Sequence, residues 1–434
     1  MISEAVILSG GRGTRLESIS QGCPKALMKL SQSTTVLEHQ LTNLVEAGVT
    51  SIKILTGYGH NKIKRFIDTL QTKRWFSKVK FSIISEKDPL GTGGALLHAS
   101  EQLEEDFFLI FGDVVFNIDL VALANVHLSS WWDTTAVTHS SSHPNDSDRV
   151  VASPNGTVER LILKNTREHL AGNRCLAGIY AINKSALACD VFGREVVSLE
   201  EKILEPLVKN KRLGSWHSAE YMSDMGTPGR LERVRRQLSQ NAPFLRSRKT
   251  GVGAVFVDRD LTLSTTPGDI SMPGSIECAA EIMTPLKAMN ERGVRIFMVT
   301  NQPAAAKGLC TIKQIIDIQN EFEEILGSEG VFLDDVEMCI HHPEKGFPGE
   351  NVSLKFSCPC RKPRSRLVHR LALRHGVNLS RSVLLGDNWR DRELAKSCGM
   401  EFLLVDLEAN IYSAKHALEN AQNLIINWTL NEME

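Results

Sequence analysis

Ala5-Val6-Ile7-Leu8-Ser9-Gly10-Gly11-Arg12-Gly13-Thr14-Arg15-Leu16 opens the chain, and Pro24-Lys25-Ala26-Leu27 follows shortly after. A short apolar run that ends in glycine reads as a buried strand, and it lacks the basic flank of a secretion signal. The glycines beyond it let backbone N–H groups approach a polyphosphate closely. Arg15 and Lys25 are the side chains that neutralise the charge gathering on a phosphoryl group under attack. Working outward, β-rich runs at 51–55, 80–84 and 107–111 alternate with helical patterns at 35–47 and 61–70. That alternation is the signature of a mostly parallel α/β sheet, with a nucleotide site as the natural reading of its first loop.

A second series of strands starts at Ala254-Val255-Phe256-Val257 and continues at 294–299 and 382–385, with a helix expected over Ile276 to Glu291. Between the two series, Gln237 to Gly253 is polar, basic and broken by Pro and Gly. The expected division is a first domain at 1–240, a linker at 241–252 and a second domain at 253–434, and 434 residues are ample for two cores. No internal repeat relates the halves. The basic run Arg230, Arg233, Arg235, Arg236 reads as a solvated helix face, because no aromatic residues interleave with it. Fifty Lys plus Arg against 51 Asp plus Glu leave a net charge of −1, which gives no overall field for nucleic acid or anionic lipid. No apolar run approaches the roughly 18 residues of a membrane span. The expected partners are therefore small molecules, without nucleic acid or membrane, and the expected location is the cytoplasm.

Three further stretches agree with the glycine loop: Leu90-Gly91-Thr92-Gly93-Gly94-Ala95, Phe111-Gly112-Asp113, and Tyr221-Met222-Ser223-Asp224-Met225-Gly226-Thr227-Pro228. Taken in order, residues 1 to 238 resemble the sugar-1-phosphate nucleotidyltransferases, with their GGxGTRL, PKxL, LGTxGA, GD and DxGTP patterns. The resemblance implies a GT-A-like, Rossmann-like α/β sheet that joins a nucleoside triphosphate to a sugar 1-phosphate and releases pyrophosphate. It implies that Gly10, Gly11, Gly13, Thr14, Arg15, Lys25, Gly91 and Thr92 bind the nucleotide, with Arg15 and Lys25 catalytic, and that Asp113 and Asp224 bind Mg²⁺. Mg²⁺ prefers carboxylate and phosphate oxygens, which suits one acid at each of two strand ends. The sugar phosphate attacks in line, so positioning and charge stabilisation suffice. Lys164 falls where the family holds the sugar phosphate, and Glu200 or Glu201 where a carboxylate meets sugar hydroxyls. Arg12 either adds a phosphate contact or faces solvent.

In the second half, Asp258 and Asp260 are spaced i, i+2 beyond a buried strand, which lets one attack phosphorus while the other protonates the leaving oxygen. Thr300-Asn301-Gln302 ends the next strand, Arg361-Lys362-Pro363 supplies a lysine, and Leu384-Leu385-Gly386-Asp387-Asn388-Trp389-Arg390-Asp391 supplies further acids. This set resembles the haloacid dehalogenase (HAD)-type phosphatases, and among them the histidinol-phosphate and heptose-bisphosphate phosphatases. The resemblance implies a HAD-like Rossmannoid sheet in which Asp258 is the nucleophile and Asp260 the general acid and base. Thr300, Asn301 and Lys362 would hold the phosphoryl oxygens, and Mg²⁺ would lie between Asp258, the Asp260 main-chain carbonyl and Asp387. Asp391 either assists there or stands as an exposed acid in the following helix. Cys339-Ile340-His341 and Cys358-Pro359-Cys360 offer three thiolates and an imidazole, a set that suits tetrahedral Zn²⁺ in a structural loop, with His342 as the alternative to His341. Three departures stand out: Leu261 where the family has glycine, and Pro303 and Ala304 where it has serine and glycine. Leucine resists the backbone angles that glycine allows, and proline removes an N–H.

A phosphatase that leaves a sugar 1-phosphate and a transferase that caps it are consecutive steps. Heptose chemistry fits both resemblances: removal of the 7-phosphate from heptose 1,7-bisphosphate, then nucleotide activation for a surface polysaccharide such as lipopolysaccharide or capsule. The first half lacks an HxGH motif and resembles guanylyltransferases, which makes GTP the expected donor. The competing readings are another sugar 1-phosphate, such as mannose or an amino sugar, and a second half reduced to a scaffold.

Overall fold

The computed structural model describes residues 1–164, 166, 171–188, 196–407, 409–410 and 412–430. The first half builds a nine-stranded sheet. Its strands are β1 (Glu4–Ser9), β2 (Ser51–Thr56), β3 (Lys80–Ser85), β4 (Asp106–Phe111), β6 (Thr134–His139), β7 (Arg149–Ala152), β8 (Val158–Ile162), β9 (Cys175–Asn183) and β10 (Leu213–His217). The main path runs β10-β6-β9-β4-β1-β2-β3, with β7 and β8 joined at its side. All neighbours on this path are parallel except β9, which is antiparallel to β4 and β6. A separate ribbon pairs β5 (Val114–Asn117) with β11 (Tyr221–Asp224), antiparallel.

β1 lies inside the sheet between β4 and β2, with Ala5, Val6 and Ile7 wholly buried, which is why this stretch is a continuous apolar run rather than an alternating one. Helix Val36–Glu46 covers one face, starting where the Thr35 hydroxyl accepts the Glu38 N–H and burying Leu37, Leu41 and Leu44 at helical spacing.

The second half forms a five-stranded, all-parallel sheet of β12 (Val255–Val257), β13 (Ile296–Asn301), β14 (Asp335–Cys339), β15 (Val383–Gly386) and β16 (Glu401–Leu404), in the order β14-β13-β12-β15-β16. No helix among the described residues is long and apolar enough to cross a membrane.

Two expectations change here. The helix expected over Ile276 to Glu291 begins only at Met283. Residues 277–279 are held extended instead, because Glu277 O accepts from Thr265 N and Ala279 N donates to Leu263 O. The stretch expected as a linker is packed: it holds a short helix, Ala242–Arg246, whose Ala242, Leu245 and Arg246 are buried. Arg246 pairs with the buried Asp334. Around that pair His217 Nε2 donates to Asp334 O at 2.8 Å, Ala219 N donates to His375 Nδ1 at 3.4 Å, and Asn173 N donates to Glu323 at 3.2 Å. Buried polar groups paired across distant segments hold one geometry, so the halves are joined by a built interface.

Candidate active sites

Strand ends set the first site. β1 runs into the glycine loop, and β4 runs into Gly112-Asp113. The two approach so closely that Gly112 N donates to Leu8 O at 2.9 Å, and a Cβ on Gly112 would stand 2.5 Å from that oxygen. Gly13 has φ +69°, and a Cβ there would fall 2.6 Å from Lys25 Cγ. Glycine is thus what lets the loop fold over Lys25, whose Nζ lies 3.0 Å from Asp113 Oδ2. Asp113 O accepts from Met225 N at 3.1 Å, so the β5–β11 ribbon sets Asp113 beside the segment that carries Asp224.

Arg15, Asp113, Lys164, Glu200 and Asp224 line one cavity of about 760 Å³. Burial disfavours the Asp224 carboxylate, yet the His143 ring at 3.5 Å, the Arg230 charge at 3.0 Å and the Gly226 N–H hold it well below the ordinary carboxylate range. Burial raises the Glu200 carboxyl, against a 2.9 Å hydrogen bond from Ser198 and the charge of Lys164. Of the two candidate acids, Glu200 faces the cavity and Glu201 is exposed. Arg12 is exposed as well. Gly10, Gly11, Gly13, Thr14, Lys25, Gly91 and Thr92 lie off the cavity wall. Gly91 and Thr92 open helix Gly91–Ala99, but the Thr92 hydroxyl accepts from Leu199 N at 2.9 Å and Gly93 N donates to Val197 O at 2.8 Å. Those groups fasten the helix start to 197–199.

The second site gathers at the carboxyl ends of β12, β13 and β15. Lys362 Nζ lies 2.6 Å from Asp258 and 2.8 Å from Asp391, all three buried. Asp258, Asp387 and Asp391 bring carboxylate oxygens within 4.8 Å of one another. Three acids against one lysine leave negative charge that a divalent cation would balance, and oxygen donors suit Mg²⁺. Crowding shows in the acids: burial pushes Asp391 up to about 6 and raises Asp387. Asp391 is therefore a wholly buried member of the cluster, not an exposed helix-start acid. Asp260 is turned aside, accepting from Arg259 Nε at 2.8 Å and Gln302 Nε2 at 2.6 Å. Thr300 is buried, its hydroxyl accepting from Gln302 at 3.0 Å. Asn301 Oδ1 accepts from Lys362 N at 3.0 Å, so Asn301 fixes the lysine's backbone. Leu261 takes the left-handed angle, φ +54°, that glycine takes more freely.

Cys339, His341, Cys358 and Cys360 form a third cluster. The three sulfurs stand 3.1 to 3.4 Å apart, and His341 Nδ1 lies 3.3 Å from Cys360 and 3.7 Å from Cys339. Zn–S bonds near 2.3 Å give tetrahedral edges of about 3.7 Å, so the donor set and its spacing fit zinc. His342 turns away, its Nδ1 3.3 Å from Glu344 O.

The family model for nucleotidyl transferase matches residues 4–241, more than half of the chain. The chain belongs to the nucleotidyl transferase family. The model described as HAD-hydrolase-like matches residues 359–425, which makes that part of the second half HAD-like. Among relatives, the mannose-1-phosphate guanyltransferase of Debaryomyces hansenii is 30% identical over 231 residues, 52% of this chain and 61% of that protein. That of Schizosaccharomyces pombe is 31% identical over 230 residues, with the same shares. The chain spans about three fifths of the length of the curated relatives it matches. Among solved structures, HddC from Yersinia pseudotuberculosis is 24% identical, covering 55% of this chain and 100% of that one at a TM-score of 0.46.

Sequence reasoning misplaced part of the first half's cavity. Arg230 and Arg233, read as a solvated face, line it: Arg230 grips Asp224 and Asp146, and Arg233 donates to Ser142 Oγ at 3.1 Å. The helix face is covered because the 139–148 loop lies over it, a tertiary fact that charge patterning does not carry. His143, Arg259 and Gln302 were also missed. Gln302 had a signal, since it continues the quoted Thr300-Asn301 motif, whereas His143 had none.

Proposed function

We propose that the first half transfers a nucleotidyl group to a sugar 1-phosphate, releasing pyrophosphate, and that the second half is a phosphomonoesterase supplying that sugar 1-phosphate. The division is 1–240 and 253–434, with 241–252 between. One observation carries the reading: Arg15, Asp113, Asp224, Lys164 and Glu200, chosen for that chemistry, share a single cavity. Arg15 and Lys25 offset charge on the triphosphate, Gly10, Gly11, Gly13, Thr14, Gly91 and Thr92 border the nucleotide, Lys164 holds the sugar phosphate, and Glu200 meets sugar hydroxyls. Asp113 and Asp224 would hold Mg²⁺, which draws electron density from the phosphate under attack.

In the second half, Asp258 attacks phosphorus, the phosphorus–oxygen bond to the sugar breaks, and Asp260 protonates the departing oxygen. Asp260 then takes a proton from the water that frees phosphate from Asp258. Lys362 neutralises phosphoryl oxygens, with Thr300 and Asn301 shaping that pocket. Asp258, Asp387, Asp391 and the Asp260 carbonyl would hold Mg²⁺, and Cys339, His341, Cys358 and Cys360 a structural Zn²⁺. Intact Lys362, Asp258 and Asp391 contacts favour catalysis over a scaffold role despite Leu261, Pro303 and Ala304.

Motif order in the second half favours heptose 1,7-bisphosphate as the first substrate, in the cytoplasm, with GTP as donor and a nucleotide-activated heptose for lipopolysaccharide or capsule as product. The names of the guanyltransferase relatives favour mannose 1-phosphate as the second reading. A ³¹P NMR time course with each sugar phosphate, Mg²⁺ and four nucleoside triphosphates tests both. Loss of the 7-phosphate followed by one nucleotide diphosphate-sugar is expected. If the bisphosphate persists while heptose 1-phosphate is capped, the second half is a scaffold; if only mannose 1-phosphate is capped, the heptose reading falls.

A further inference from the structure

The first half does not enclose its cavity alone. The far wall is Lys287, Asn290, Glu291, Gly330 and Phe332, from helix Met283–Arg292 and the turn before β14. Most of this wall is committed to holding itself in place. Asn290 exchanges hydrogen bonds with the Phe332 backbone at 3.0 Å in both directions, Phe332 lies under the Arg246 guanidinium at 5.7 Å, and Glu291 stands 3.4 Å from Arg236.

Lys287 differs. It is exposed on the cavity wall, and among the described residues it makes no ion pair. A Cβ on Gly330 would lie 3.5 Å from Lys287 Nζ and 3.9 Å from Ser142 O, so the ammonium overhangs the loop that carries Ser142 and His143. Ser142 accepts from Arg233, whose Nε is buried without a hydrogen-bond partner, and His143 faces Asp224. An uncommitted ammonium and an under-satisfied guanidinium, both set beside Ser142 on the lining of one cavity, are a phosphate-binding arrangement.

We propose that Lys287, contributed by the HAD-like half, is a substrate-binding residue of the transferase cavity, where with Arg233 it holds a phosphate group. The proposal rests on the transferase reading above. Two ligands carry that chemistry: the pyrophosphate portion of the nucleoside triphosphate and the phosphate of the sugar.

Titration calorimetry of inorganic pyrophosphate, GTP and mannose 1-phosphate, each with Mg²⁺, into the full-length protein tests it in wild type, Lys287→Ala and Lys287→Arg. Loss of one charge-assisted hydrogen bond predicts an affinity about tenfold weaker in Lys287→Ala, largely restored in Lys287→Arg. In steady state the same loss raises KM and leaves kcat within about twofold, since a ground-state contact is removed. Weakening confined to pyrophosphate and GTP assigns the leaving group; weakening confined to the sugar phosphate assigns the acceptor. Unchanged affinities in Lys287→Ala overturn the proposal and leave the transferase reading standing. A loss that arginine fails to rescue and that tracks a lower Tm overturns it as a structural effect. A wild type that binds none of the three ligands overturns both.

Discussion

His217 sits where the halves meet, with Nε2 on Asp334 O at 2.8 Å and Nδ1 3.3 Å from Thr138 Oγ1. Burial lowers its pKa from 6.5 to about 3; Arg174 and His375 press the same way, while Asp335 and the Asp334 carbonyl oppose. The unfolded chain takes up a proton here near pH 6.5, but the folded chain does so only near pH 3. Stability present above pH 6.5 is therefore lost progressively as the pH falls between those values. At 1.36 kcal/mol per pH unit, the loss reaches about 2 kcal/mol by pH 5. Glutamine places an amide N–H near the position of Nε2 and does not titrate, so His217→Gln keeps the bond to Asp334 and removes this pH dependence. Urea unfolding at pH 7.5 and 5.0 should show wild type losing about 2 kcal/mol more than the variant. Burial also lowers His139, to about 4, and His375, so both proteins retain a slope. Equal losses in wild type and variant would refute the reasoning.

Three further outcomes are expected. Gly13→Ala forces a methyl to within 2.6 Å of Lys25 Cγ at a left-handed position, displacing Lys25 from Asp113; a coupled assay should show pyrophosphate release at least about tenfold slower, with about 1 kcal/mol of stability lost. Asp258→Asn should cut phosphate release by about a thousandfold or more while capping of supplied sugar 1-phosphate continues; retained phosphate release would show that Asp258 is not the nucleophile. Cys358→Ser should remove zinc measured by plasma emission, and stoichiometric zinc in the variant would discredit the four-ligand site.

Features legible in the sequence were those in which local chemistry dictates residue type. The glycine loop could be read because glycine takes the left-handed φ of Gly13 without strain and leaves room for Lys25 where a Cβ would clash, and the acids could be read because they follow apolar strands. What the sequence withheld depended on packing between distant segments. Arg233 looks like any surface arginine until the 139–148 loop covers it, and Asp391 looks like a helix-start acid until Lys362 reaches it from another segment. The same holds for the 241–252 stretch, whose polarity suggested a tether although Arg246 is committed to Asp334. Leu261 shows the converse: the departure was visible, but only the backbone shows that leucine accepts glycine's conformation, at a cost of about 1 kcal/mol.

The buried Arg246–Asp334 pair has a kinetic meaning. Breaking such a pair costs about 3–5 kcal/mol, so the short helix between the halves cannot act as a swinging arm. On the proposed function, a molecule finished at one site then has no moving carrier to the other, and release into the bulk is the expected route. Unlabelled sugar 1-phosphate added during turnover of labelled bisphosphate should therefore dilute the label in the nucleotide sugar in proportion to its concentration. Undiluted label would mean a protected path between the sites. Diluted label would mean that joining the halves in one chain secures equal numbers of the two proposed catalysts, with the traffic between them left to diffusion.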